Sequence, residues 1–250
     1  MKQMGYKMKV IVSVKTCLLL SLFGFTMELK AQQVLVSRMF PELKYYPLKG
    51  QVYYQDYIQV KGSAFLKGED WMKGDLILTS GERLNDINFK LDIYAHRVLV
   101  YHEFLKRIVL INKKDLTEFY INDSGSRRRF IFLSDIPTKA SVSDGCYFEV
   151  LSEGRLSFYK LYYKDILPLR TPEMPLLDEF LDESAYYLKD GDKMNSIRMN
   201  KRSLIKLYPQ YKSEMKQFVR RKNLHLRNQS DFAIAVSHLG RVLELIENNQ

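Results

Sequence analysis

The sequence predicts an α+β protein: an N-terminal antiparallel β-meander, folded as a twisted sheet or partly closed roll, followed by a hairpin and C-terminal α-helices. Three observations carry this. From Gln51 to Tyr163 the chain is rich in Tyr, Phe, Ile, Val and Leu, laid out in runs of about four to eight residues, which is strand composition. Turn-forming clusters separate the runs at intervals too short for the crossover of roughly a dozen residues that parallel strands need. Past Asn200 the apolar residues recur at helical spacing.

Residues 1–31 precede this pattern and read as a cleavable export signal. Lys2, Lys7, Lys9 and Lys15 form a basic start, and Thr16 to Leu29 follows almost without charge through Leu18-Leu19-Leu20, Leu22-Phe23 and Phe25-Thr26-Met27, with Glu28 near its end. The apolar run is shorter than the roughly 20 residues of a membrane-spanning helix. Ala31, ahead of Gln32-Gln33, offers a small residue for cleavage; Leu29 is large for the −3 position, so an uncleaved N-terminal anchor is the other reading. Cys17 follows Lys15-Thr16, where a lipid-attachment site would carry small uncharged residues. Cleavage would remove five Lys and one Glu, leaving about 219 residues with 34 Lys+Arg against 28 Asp+Glu, a net charge of +6 in place of +10. Much of the basicity therefore belongs to the signal and makes no case for an anionic partner. Cys146 would then be the only thiol, so the exported protein must be held by its core and not by a disulfide. No later apolar run approaches membrane-spanning length.

The strands follow. Asp75 to Thr79 runs into the turn Ser80-Gly81-Glu82, and Asp86 to Ile93 alternates Ile87, Phe89, Leu91 and Ile93 with Asn88, Lys90 and Asp92. Period two places those four apolar side chains on one face. Further runs are Arg97 to Tyr101, Arg107 to Ile111, Glu118 to Ile121, Arg129 to Leu133, Tyr147 to Leu151 and Leu156 to Tyr162, with turns at Asn122-Asp123-Ser124-Gly125, Ser143-Asp144-Gly145 and Ser152-Glu153-Gly154. Pro168 to Pro175 holds three prolines and reads as a connector, since proline lacks a backbone donor. Tyr186 to Lys189 and Asn195 to Met199 flank Asp190-Gly191-Asp192-Lys193 as a hairpin. Asn200 can cap a short helix that Pro209 ends, Ser213 to Arg221 forms a second, and a third starts at Ser230-Asp231 with Phe232, Ala235, Val236, Leu239, Val242, Leu243 and Ile246 on one stripe. That stripe is expected to cover the apolar face of the open sheet. The expected division is residues 1–31 as signal, 32–170 as β-rich body, and 171–250 as connector, hairpin and helical region packed on the body.

Some of these segments resemble a group of uncharacterised secreted proteins from Bacteroidetes-type bacteria. The resemblance runs through Lys61-Gly62-Ser63-Ala64-Phe65-Leu66, Trp71-Met72-Lys73-Gly74-Asp75, Leu91-Asp92-Ile93-Tyr94, Gly145 to Leu151, Leu156 to Lys160 and Ser203 to Pro209. It covers most of residues 51–245 and implies location and architecture. That group has no established activity, so no catalytic residue is carried over.

Catalytic constellations are sparse. His96, His102, His225 and His238 show no metal-ligand spacing, and there is no nucleophile elbow, phosphate-cradling loop or Cys-x-x-Cys, so no metal, cofactor or catalytic residue is assigned. His96 and His102 could meet on neighbouring strands near Asp92 and Glu103; a surface or turn pair is the plainer reading. Cys146, entering a strand after Gly145, reads as a small buried hydrophobe. Glu173, Asp178, Glu179, Asp182 and Glu183 could supply the paired carboxylates of a glycosidase, or form a solvated face. Tyr45-Tyr46, Tyr53-Tyr54, Tyr57, Trp71, Tyr162-Tyr163 and Tyr186-Tyr187 could be platforms for sugar rings, or strand tyrosines. The sharpest anomaly is charge segregation: between Arg198 and Arg227 lie ten basic residues against one acid, Glu214, while residues 173–192 hold seven acids against Lys189. The two stretches could face each other. Otherwise Lys201, Arg202, Lys206, Lys212, Lys216, Arg220, Arg221 and Lys222 form an anion-binding surface for a lipid headgroup, an acidic glycan or an envelope protein, with nucleic acid ranked last. The expectation is an exported envelope module, periplasmic, surface-associated or secreted, that acts by binding; the alternative is a hydrolase of envelope polymer.

Overall fold

In the computed structural model the strand runs from Asp75 onward all form strands, most of them longer than the apolar run that marks them. The structure describes residues 50–248 apart from 54–56, 58–59, 104, 124, 135, 137, 139, 141–143 and 170–176, so residues 1–31, expected to be an export signal, lie outside the described residues. The strands are β1 Gly50–Val52, β2 Val60–Lys61, β3 Leu66–Glu69, β4 Met72–Leu78, β5 Arg83–Asp92, β6 Arg97–His102, β7 Arg107–Ile111, β8 Leu116–Asp123, β9 Ser126–Leu133, β10 Cys146–Ser152, β11 Leu156–Leu169, β12 Leu177–Asp190 and β13 Lys193–Ile197. Twelve of them form one sheet in the order β1-β7-β6-β5-β4-β8-β9-β10-β11-β12-β13, with β2 beside β12. Neighbours along that order are antiparallel. β2 joins β12 in parallel, Val60 opposite Asp178, so the sheet is mixed, which the short turns did not foretell.

The step from β7 to β8 shapes the body. These strands lie four places apart in the order, roughly 19 Å in a flat sheet at about 4.8 Å per strand. The five links from Ile111 to Leu116 reach only about 17–18 Å when fully extended. The strands between must therefore curl, and register shifts within β4 at Gly74/Leu76 and Ile77/Leu78 supply local bends. The sheet nevertheless stays open, because β1 and β13 end the order unpaired with each other. Phe119 and Phe130, opposite each other on β8 and β9, have ring centroids 4.9 Å apart, and Phe89 of β5 packs on Phe119 at 5.3 Å; all three are fully buried. Gly74 makes this possible: a methyl there would stand 1.7 Å from the Tyr120 carbonyl oxygen and 3.0 Å from the Phe89 ring.

The connector needs correction. β11 and β12 pair without a break from Leu156 opposite Asp190 to Leu169 opposite Leu177, so Pro168 lies within a strand, opposite Asp178. It is tolerated because the pairing of β11 with β10 reaches no further than Leu161, which leaves the other edge of β11 free of that partner near Pro168. The hairpin forms as expected, with Asp190 opposite Lys193 and Gly191 at φ +56°.

Among the described residues three α-helices follow: α1 Lys201–Leu207, α2 Lys212–Arg221 and α3 Gln229–Glu247. The Asn200 side chain accepts from the Ser203 amide at 2.9 Å and caps α1. α3 is capped two residues earlier than expected, by Asn228, which accepts from Ser230 and Asp231. Phe232, Ala235, Val236, Leu239 and Leu243 of α3 are buried against Leu156, Phe158, Leu188 and Ile197 of the sheet, whereas Ile246 at the end of the stripe is 40% exposed. Contact is close at Gly240, whose missing methyl would sit 3.2 Å from the Leu156 nitrogen. Arg155 ties the far end of α3 down by binding both Glu247 and Asp190.

Candidate anion-binding site

Local sequence builds this site at the end of α2. Lys222 closes the helix, and Asn223 follows at φ +51°, a left-handed conformation that asparagine tolerates better than most residues. The Asn223 amide then donates to the Arg220 carbonyl at 3.1 Å and the Leu224 amide to that of Val219 at 3.0 Å, the two reverse bonds of a Schellman ending. Leu224 and Val219 are the two positions that such an ending commonly brings into apolar contact. His225, Leu226 and Arg227 continue the turn, held by the His225 amide on Asp231 Oδ2 at 2.7 Å and the Asn228 amide on the His225 carbonyl at 2.7 Å. Lys201, the first residue of α1, comes alongside. The result is a pocket of about 390 Å³ lined by Lys201, Val219, Leu224, His225, Leu226 and Arg227. Its wall holds a lysine, an arginine and an imidazole over three aliphatic side chains, with no acid among its lining residues.

The eight basic residues singled out in sequence are all exposed. Lys201, Arg202 and Lys206 lie on α1; Lys212, Lys216, Arg220 and Arg221 on α2; Lys222 ends α2. At helical spacing Lys212, Lys216 and Arg220 share a stripe, while Met215 and Phe218 turn inward. None of the eight forms an ion pair with a described residue. Three of the acids that could have faced them are engaged elsewhere. Glu179 pairs with Lys61 at 3.4 Å, Asp182 with Lys164 at 2.5 Å, and Glu214 lies 3.3 Å from His238. Glu173 lies outside the described residues. Only Lys201 of the eight reaches the pocket. Arg227 and His225, which complete it, were not singled out, although Asn223 after three basic residues is the sequence mark of the turn that carries them.

Other candidates take structural places. His96 lies in the turn just before β6 and His102 at the far end of β6, not on neighbouring strands. His96 is fully buried at φ +50°, and its Nδ1 accepts from the Tyr147 amide at 3.4 Å. Burial, reinforced by the charge of Lys113, holds its pKa down at about 3. Cys146 is buried, 3.8 Å from Thr138 Oγ1, and burial pushes its thiol up. Asp178, Glu179, Asp182 and Glu183 are strung along one strand, β12. Of the aromatic pairs, Tyr45, Tyr46 and Tyr54 lie outside the described residues. Tyr163 and Tyr187 are buried. Tyr57 donates to the buried Asp92, which also pairs with Arg97 and caps the turn through Tyr94 and Ala95. Tyr162 closes a bonded triad with Arg128 and Glu149, and Tyr186 stacks on Phe158. Trp71, 38% exposed, packs against Tyr101 and Lys90.

No protein-family model, curated protein or solved structure matches the chain, so its functional reading rests on its own residues.

Proposed function

We propose that the chain is an exported, non-enzymatic module of the cell envelope, periplasmic, surface-associated or secreted, that binds an anionic envelope component through its basic helical face. The carrying observation is that eight exposed cations on α1, α2 and its cap have no described ion-pair partner while Glu179, Asp182 and Glu214 are held by other groups. Lipid headgroups and acidic glycans are the favoured partners, and an envelope protein with an acidic surface comes next. The hydrolase alternative draws no support from carboxylates aligned on one strand, where a sugar needs a pair roughly 5–10 Å apart across a cleft.

Such attraction is Coulombic between exposed charges, so it weakens as salt shortens the screening length from about 10 Å at 0.1 M to about 3 Å at 1 M. The test compares binding to anionic vesicles, zwitterionic vesicles and an acidic polysaccharide for the native protein and a triple variant, Lys206→Glu, Lys216→Glu and Arg220→Glu. Selective, salt-sensitive binding lost in the variant is expected, with the melting temperature nearly unchanged. Equal, salt-insensitive binding by both proteins would end the proposal.

A further inference from the structure

We infer that the pocket between α1 and the turn after α2 is a discrete subsite for the phosphorylated head of a single-chain amphiphile. This rests on the anion-binding reading above and narrows it from a charged face to one place and one chemistry. The face by itself would hold any polyanion loosely. The pocket differs in being concave, in joining Lys201 and Arg227 from segments far apart in sequence, and in backing them with Val219, Leu224 and Leu226.

Phosphate suits these groups better than a carboxylate does. A phosphomonoester carries about −1.5 to −2 charges near pH 7 and has three acceptor oxygens. Arginine meets such oxygens with two parallel donors and lysine adds a point charge. His225 supplies a third nitrogen-bearing side chain at the wall. A carboxylate would satisfy one cation and leave the other without a counter-charge. The aliphatic wall then calls for carbon attached to that head, since apolar surface gains by leaving water at roughly 25 cal/mol per Å². At about 390 Å³ the space is near the small end of ligand pockets, which span roughly 300–1,000 Å³. It accommodates a headgroup with its first carbons and leaves the remainder of a longer chain outside.

The backbone around the pocket is bonded within the chain. The Schellman bonds hold Val219 and Leu224, and the Asp231 acceptor and the Asn228 amide hold His225. A preformed site avoids the ordering cost that a mobile loop would add on binding.

The experiment uses the protein recovered after export and two probes, hexyl phosphate and inorganic phosphate, titrated calorimetrically at fixed ionic strength. Hexyl phosphate is expected to bind with 1:1 stoichiometry, at least tenfold more tightly than inorganic phosphate. Lys201→Gln with Arg227→Gln should weaken it at least tenfold, whereas Lys114→Gln with Lys193→Gln, equal in charge removed but exposed and off the basic helical face, should leave it within twofold. Leu224→Ser should abolish the preference for the hexyl ester, with folding checked by thermal melt. Equal affinity for the two probes, unsaturable binding, or equal loss in both double variants would each overturn the inference. If anionic vesicles are still bound in a salt-sensitive way, the subsite alone falls; if that binding is absent too, the charged-face proposal falls with it.

Discussion

Replacing His96 by asparagine and following both proteins from pH 7 to pH 4.5 isolates the contribution of one sealed imidazole. In the fold its Nδ1 must stay unprotonated to accept the Tyr147 amide, and among the described residues its Nε2 has no partner that would reward a charge. Its pKa is held at about 3 against an ordinary 6.5. The folded state therefore binds fewer protons than the unfolded chain between these values, and stability falls as pH drops below 6.5, continuing until about 3. At roughly 1.4 kcal/mol per pH unit, the loss between pH 7 and pH 4.5 is about 2.5 kcal/mol, a sizeable part of the roughly 5–15 kcal/mol that holds a typical domain. Asparagine is the suitable replacement because it tolerates the left-handed backbone of this position and does not titrate. His102 and His238, also held down by burial, contribute equally to both proteins and cancel in the difference. Urea melts at several pH values should show the native protein losing about 2.5 kcal/mol more than the variant over this range. Parallel profiles would refute the claim that His96 is sealed and neutral.

Other outcomes follow from the packing. Gly74→Ala should destabilise by at least about 2 kcal/mol in chemical melts, because the added methyl meets backbone oxygen and not a movable side chain. Phe232→Ala should cost about 3–5 kcal/mol, since the ring is fully buried and packs on Phe158 at 4.9 Å. A fragment ending at residue 170 should aggregate or melt without cooperativity, because it exposes Leu156 and Phe158 and strips β11 of its long partner β12; a sharp melt of that fragment would count against this account of the core.

From Asp75 onward strand positions were legible because each apolar run sits between turn residues, and α3 was legible as a stripe; the short strands β1, β2 and β3 were not singled out. Faces were harder to read. The alternation at 86–93 correctly marks Ile87, Phe89 and Leu91 as core, but Lys90 and Asp92, placed on the solvent face by the same rule, are buried too. Period two assumes one wet face, and here the opposite face of β5 is covered as well, with Glu69 on Lys90 and with Tyr57 and Arg97 on Asp92. Pro168 misled for a related reason: the rule against proline applies to strands flanked on both sides, and β11 outruns β10. The eight cations were visible as composition. The pocket was not, because it depends on a left-handed Asn223 and on α1 reaching a turn more than twenty residues further on.

The parallel pairing of β2 with β12 has a consequence for the order of events in folding. Val60 and Asp178 are 118 positions apart, and joining them closes a loop whose entropy amounts to about 4 kcal/mol before the constant term. Two residue pairs cannot repay that alone, so β2 waits until the hairpins between have already brought the ends near. In a chain that emerges from a ribosome or a channel beginning at its N-terminus, the segment that appears among the first is thus among the last to find its place. Most ladders join consecutive strands, but β1 with β7, β4 with β8 and β2 with β12 join distant ones, and such non-local pairing slows folding. Until those pairs form, strand edges stay exposed to other chains, so refolding yield should fall as protein concentration rises.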